Sequence, residues 1–147
     1  MGSIDIFYAD DDEDDLMFFE EAVEKISEDL DYKVALHTHV NGEHLLENIK
    51  TKKDANGIVF LDINMPFKSG LELLEEIRNE PEIKEVPVIM YSTSSNIDSI
   101  EQCRNLGADF YVIKFTNFKD LVSMISRVIE INWENHQPDA KNFVYKA

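Results

Sequence analysis

Four places in this 147-residue chain offer side chains that could do chemistry together. Asp10 and Asp11 open an uninterrupted run of acids that lasts to Asp15, and Asp62 follows the apolar run Ile58-Val59-Phe60-Leu61 and stands just before Asn64 and Pro66. Ser92 closes the run Val88-Ile89-Met90-Tyr91, and Lys114 closes Phe110-Tyr111-Val112-Ile113. Carboxylates are hard oxygen ligands for a divalent cation, and one of them can also act as a nucleophile. A hydroxyl adds a hydrogen-bond donor and an amine a counter-charge. Two carboxylates about 5 Å apart repel by roughly 3 kcal/mol at an effective dielectric of 20, so converging acids imply shifted pKa values or a bound cation. Taken singly, each residue has a plainer role. An Asp after a strand serves turns and caps, and acids are favoured at a helix start, which is the whole role expected of Asp14 and Asp15.

Whether these groups meet depends on the elements that present them. Residues 4–9 read as a first strand, and residues 14–27 as a helix with Phe18, Phe19, Ala22, Val23 and Ile26 inward. Leu16 flanks that arc as a candidate docking residue, and Met17 lies opposite. Residues 32–40 alternate as a second strand, with Val34, Leu36 and Thr38 on one face and His37 and His39 on the other. With His44, these histidines suggest zinc only weakly, because Cys103 is remote and no ligand spacing recurs; they are expected at the surface. Asn41-Gly42 opens a second helix carrying Leu45, Leu46 and Ile49, and 50–57 is a polar linker. The third strand, 58–61, has the continuous apolar pattern of a strand covered on both faces.

Ser69-Gly70 starts a third helix ending near Asn79, with Leu71, Leu73, Leu74 and Ile77 inward. A fourth strand covers 86–91, and Ser95 or Asn96 caps a fourth helix with Ile97, Ile100 and Leu106 inward, stopped by Gly107. A fifth strand covers 110–113, and Asn117 caps a last helix over 118–132. Strand and helix thus alternate five times, which is the pattern of a doubly wound α/β fold with a parallel sheet. Right-handed crossovers bring all the strand ends to one rim, where open α/β sheets bind their ligands.

Composition narrows the function. The length suits one domain with a proper core. A net charge of −16 argues against a nucleic-acid surface and suits cations and basic partner patches. A single cysteine excludes an internal disulfide. No apolar run reaches the roughly 20 residues that span a bilayer, so the expectation is a soluble, cytoplasmic protein with no membrane contact.

The motif set Asp10-Asp11, Asp62-Ile63-Asn64-Met65-Pro66 with Gly70, Ser92, and Gly107-Ala108 with Lys114 resembles the response-regulator receiver domain, the CheY-like family of two-component signalling. The resemblance covers about residues 4–131 and implies a flavodoxin-like three-layer sandwich with strand order 2-1-3-4-5. It implies that Asp62 accepts a phosphoryl group from a phosphohistidine donor, a sensor histidine kinase or histidine phosphotransfer protein. Mg²⁺, or Mn²⁺ in its place, would be held by Asp11, Asp62 and the Asn64 backbone carbonyl, with Asp10 reaching it through water. Lys114 would pair with a phosphoryl oxygen, and Ser92 would donate to another while Tyr111 turns inward as the switch. Residues 1–131 would be the receiver and 132–147 a tail with no effector domain, so output would pass to a target protein by contact or onward through a phosphorelay. Catalysis would be limited to its own phosphorylation and autodephosphorylation. The alternative is a degenerate receiver that binds a partner without being phosphorylated.

Several residues depart from the family pattern. Phe115 stands after Lys114 where the family has a cis proline; a cis bond without proline costs about 2.5–4 kcal/mol, so a trans bond is expected, with the Lys114 ammonium drawn away from Asp62. Thr93 replaces a smaller residue and is expected to narrow access. The last helix is apolar over half its circumference, which predicts a second contact: a partner, a homodimer or the tail. Trp133, Phe143, Val144 and Tyr145 predict that the tail packs on the domain. A haloacid-dehalogenase-type phosphatase would need an acid where Asn64 stands, and a flavodoxin would need a phosphate loop in place of the acidic run.

Overall fold

Alternating apolar runs and amphipathic segments produce β1 (Gly2–Asp10), α1 (Glu13–Asp29), β2 (Tyr32–Val40), α2 (Leu45–Thr51), β3 (Gly57–Leu61), α3 (Gly70–Asn79), β4 (Val88–Ser92), α4 (Ile97–Asn105), β5 (Phe110–Ile113) and α5 (Phe118–Glu130). The computed structural model describes residues 2–30, 32–52 and 56–146, so the expected linker at 50–57 lies partly outside the described residues. The five strands form one parallel sheet in the order β2-β1-β3-β4-β5. Helices cover both faces, as a parallel sheet requires.

Strand alternation divides the core in two. Ile4, Ile6, Tyr8, Ile58, Phe60, Ile89, Tyr91 and Val112 face α1 and α5, while Phe7, Ala9, Val59, Leu61, Val88, Met90 and Tyr111 face the other helices. The same parity governs the residues at the strand ends. Asp10, Asp62 and Lys114 continue the α1/α5 side, and Ser92 continues the side of Tyr111.

Four expectations need correction. Leu16 is buried in the core at 7% exposure, because α5 lies alongside α1 and widens its apolar arc; Phe18 meets Phe118 with ring centroids 5.7 Å apart and is only half-buried. His39 is also buried, not a surface residue, its Nδ1 lying 2.8 Å from the Glu43 carbonyl and its Nε2 3.1 Å from Asn48. Burial holds the His39 imidazole below its ordinary pKa. Ile97 is exposed rather than inward, since Cys103 is the residue that α4 buries fully. Asp15 does more than favour the helix start, as its contacts below show.

Two glycines have backbone reasons for being there. A Cβ on Gly70 would lie 2.1 Å from the Asp62 carbonyl oxygen, so only glycine lets α3 begin so close to the end of β3. Gly107 has φ +99 and stops α4 in the left-handed conformation.

The segment after α5 supplies the second contact expected for that helix. Trp133 donates its indole N–H to the Val128 carbonyl and meets Phe110 edge to face. The chain then runs up the open edge of β5. Tyr111 donates its N–H to the Phe143 carbonyl at 2.9 Å, and the Tyr145 N–H returns to the Tyr111 carbonyl at 2.8 Å. Phe143 is 2% exposed within the core on the Tyr111 side. The edge pairing satisfies backbone groups that a terminal strand otherwise leaves open.

Candidate functional site

The acids meet because β1 and β3 are neighbours in register. Ala9 pairs with Leu61, and the Asp62 N–H continues the ladder to the Ala9 carbonyl at 3.0 Å, so Asp10 and Asp62 leave the sheet side by side. Asp10, Asp11 and Asp62 each offer an oxygen within 4.8 Å of the other two. That spacing and the hard oxygen donors fit a divalent cation.

The three acids differ in environment. Asp10 is fully buried. One of its oxygens accepts from the Tyr8 hydroxyl and from Lys114 Nζ at 2.8 Å, and the other accepts the Asp12 N–H at 3.0 Å. Burial pushes its pKa up, but those bonds, led by Lys114 and Tyr8, outweigh it and hold the carboxyl below its ordinary value. Asp62 is 6% exposed and lacks such help. Burial first and the Asp10 charge second push its carboxyl up to about 7, against which Lys114 works only partly. Asp11 is exposed at the mouth, as is Asn64 in the loop after Asp62.

Lys114 reaches the acids from β5, its backbone N–H continuing the ladder to the Ser92 carbonyl at 2.9 Å. Its side chain is 9% exposed and sits 5.7 Å from the Tyr91 ring centroid. Nζ lies 2.7 Å from Asp15, 2.8 Å from Asp10 and 3.6 Å from Asp62. Burial opposes its charge, yet the bonds to Asp10 and Asp15 raise the ammonium above its ordinary pKa. Among the described residues no peptide bond is cis, so the bond to Phe115 is trans, as the absence of proline predicts. Phe115 packs edge to face on Tyr145 of the tail.

Ser92 and Tyr111 lie on the opposite side of the sheet from the acids. Ser92 is fully buried, and its hydroxyl oxygen accepts the Ser94 N–H at 3.3 Å. Tyr111 is also fully buried and donates its hydroxyl to the Ser94 carbonyl at 2.7 Å. Tyr111 therefore stands inward in this structure, where the tail lies along its backbone. Thr93 is exposed at the rim.

Sequence reasoning missed two residues of this site, Tyr8 and Asp15. Tyr8 had a usable signal, since it stands two positions before Asp10 and must share its strand face. Asp15 had none that distinguished it from the other acids of its run.

The response regulator receiver domain model matches residues 6–126. Response regulator Rcp1 of Synechocystis sp. is 37% identical over 71 residues, which is 48% of this chain and 48% of that protein, so the match spans about half the length of this curated relative. The crystal structure of response regulator RPA3017, in red light signaling of R. palustris, is 26% identical with TM-score 0.72, covering 90% of this chain and 95% of that one. The phosphorylated cyanobacterial phytochrome response regulator RcpA is 25% identical with TM-score 0.70, again covering 90% and 95%.

Proposed function

Because the chain belongs to the response regulator receiver domain family, we propose that it accepts a phosphoryl group on Asp62 from a phosphohistidine donor, either a sensor histidine kinase or a histidine phosphotransfer protein. The observation that carries this reading is the convergence of Asp10, Asp11 and Asp62 within 4.8 Å beside a single lysine. An Asp62 oxygen attacks phosphorus, the O–P bond forms as the N–P bond breaks, and the electron pair stays on the donor imidazole. Phosphoryl transfer is mostly positioning and charge neutralisation. Mg²⁺, or Mn²⁺, held by Asp11, Asp62, the Asn64 carbonyl and, through water, Asp10, would supply the neutralisation that lets an anionic group approach three acids. Asp10 is fixed by Tyr8 and the Asp12 N–H, which keeps its carboxylate aimed at the cluster. Lys114 takes a phosphoryl oxygen, and the Ser92 hydroxyl, at the end of β4, takes another across the rim.

Output on this reading passes by protein contact or by onward relay. Residues 1–131 are the receiver, and the tail after them borders the Tyr111 edge, so Ser92 and Tyr111 link Asp62 to that edge. The phosphorylated state recorded for RcpA supports the same chemistry here. A second reading, a receiver that binds without being phosphorylated, is favoured by one observation: Lys114 is bonded to Asp10 and Asp15 rather than to Asp62. Labelling by acetyl phosphate separates the two. The expected result is Mg²⁺-dependent incorporation that Asp62→Asn abolishes; incorporation that survives this substitution moves the nucleophile elsewhere, and a wild type that never labels leaves the binding module.

A further inference from the structure

The first turn of α1 contains two adjacent acids with different surroundings. The Asp14 carboxylate is exposed and forms no ion pair among the described residues. The Asp15 carboxylate lies 2.7 Å from Lys114 Nζ, closer than either Asp10 or Asp62. An ammonium has three donors. Two are taken by Asp10 and Asp15, and Asp62 at 3.6 Å is beyond hydrogen-bond distance.

We propose that Asp15 is a positioning residue that parks Lys114 away from Asp62, a counter-ion from which a phosphoryl group on Asp62 draws the amine. The inference rests on the phosphoryl-transfer reading of Asp62. The two bonds to the parked amine are not equally held. Asp10 is fully buried, and its loss of the amine would leave a charge with no access to water. The Asp15 side chain is 35% exposed, so water can replace the amine when it leaves. The lysine cannot swing to solvent, because its own side chain is 9% exposed. Its freedom is a choice among acceptors in one small space. A phosphoryl group, with nearly two negative charges and three strong acceptor oxygens, outcompetes a single carboxylate for the amine. Departure of Lys114 then leaves Asp15 uncompensated beside Asp12, Glu13 and Asp14, which ties the charge of the α1 start to the state of Asp62.

The full-length protein tests this with Asp15→Asn, which keeps the shape and removes the charge, against Asp14→Asn, which removes the same charge from the same turn without touching Lys114. Affinity for beryllium fluoride in the presence of Mg²⁺ is measured for both, with the Lys114 ammonium resonance in metal-free protein as a second readout. The expected result is binding tighter by about threefold or more in Asp15→Asn than in Asp14→Asn, an ammonium resonance moved only by Asp15→Asn, and return toward wild type in Asp15→Glu. A smaller gain, or weaker binding, overturns the inference while leaving phosphorylation at Asp62 standing. A wild type that takes neither beryllium fluoride nor label overturns both. Should Asp15→Asn fail to fold, Asp15→Ser makes the same comparison.

Discussion

Charge is buried at each end of the sheet, and the two ends are built on opposite terms. At the end where β4 and β5 begin, Arg78 places four of its five N–H donors: Nε donates to the Gly107 carbonyl, Nη1 to the carbonyls of Lys84 and Val86, and Nη2 to Asp109 at 3.1 Å. Asp109 in turn accepts the Val88 N–H at 2.9 Å. Burial lowers the pKa of the arginine and raises that of the acid, so it costs both partners, and fixed hydrogen bonds offset that cost. At the other end, one amine faces Asp10, Asp15 and Asp62 together. Lys114 and Asp62 are the more buried, 9% and 8% exposed against 19% for Arg78 and 15% for Asp109. Burial alone therefore does not distinguish the two ends. The distinction is whether the charges are matched, and the rim keeps a negative surplus that a cation could use.

The contrast is sharpest if one charge is removed from each end. Arg78→Met should destabilise the protein by about 3–5 kcal/mol, since it strands a buried Asp109, and chemical denaturation would measure it; a loss under about 1 kcal/mol would erase the contrast. Asp62→Asn should have the opposite sign, stabilising metal-free protein at pH 8 by about 2 kcal/mol, because it removes an acid whose ionised form burial and Asp10 disfavour. Equal destabilisation by both substitutions would mean that the rim is as balanced as the arginine site.

A smaller effect follows from pH. The folded Asp62 carboxyl is raised to about 7 from its ordinary value of 3.8, so between those values the folded state binds more proton than the unfolded one. Stability should accordingly fall as pH rises from about 4 to about 7 and level off above. In thermal melts without metal this amounts to about 5 °C; Asp62→Asn should remove most of it and leave only the smaller share of Asp109, and added Mg²⁺ should reverse it by favouring the ionised acid. Arg78 variants should retain the dependence. A melting temperature that rises over the same interval would contradict the assignment of the surplus to Asp62.

Most of the architecture was legible because it depends on period. Apolar runs of four or five residues closed by turn chemistry located β3, β4 and β5, and side-chain caps at Ser69, Asn96 and Asn117 opened their helices where expected. Their position at strand ends also placed Asp10, Asp62, Ser92 and Lys114 at one rim. Less legible was anything set by the neighbour of an element rather than by the element itself. Leu16 reads as a flank until α5 is laid against α1, and His39 reads as exposed until the turn after β2 folds over it.

Sequence by itself determined the strand-helix alternation, the common rim and the identity of the acids, hydroxyl and amine delivered there, since local periodicity and right-handed crossovers leave few other arrangements. Only the tertiary structure decided how those charges are shared. Lys114 and Asp15 are separated by 99 positions, and their pairing depends on the packing of α1 against the end of β5. The same holds for the tail strand beside Tyr111, because which distant groups touch is settled by the whole packed core and not by any window of the chain.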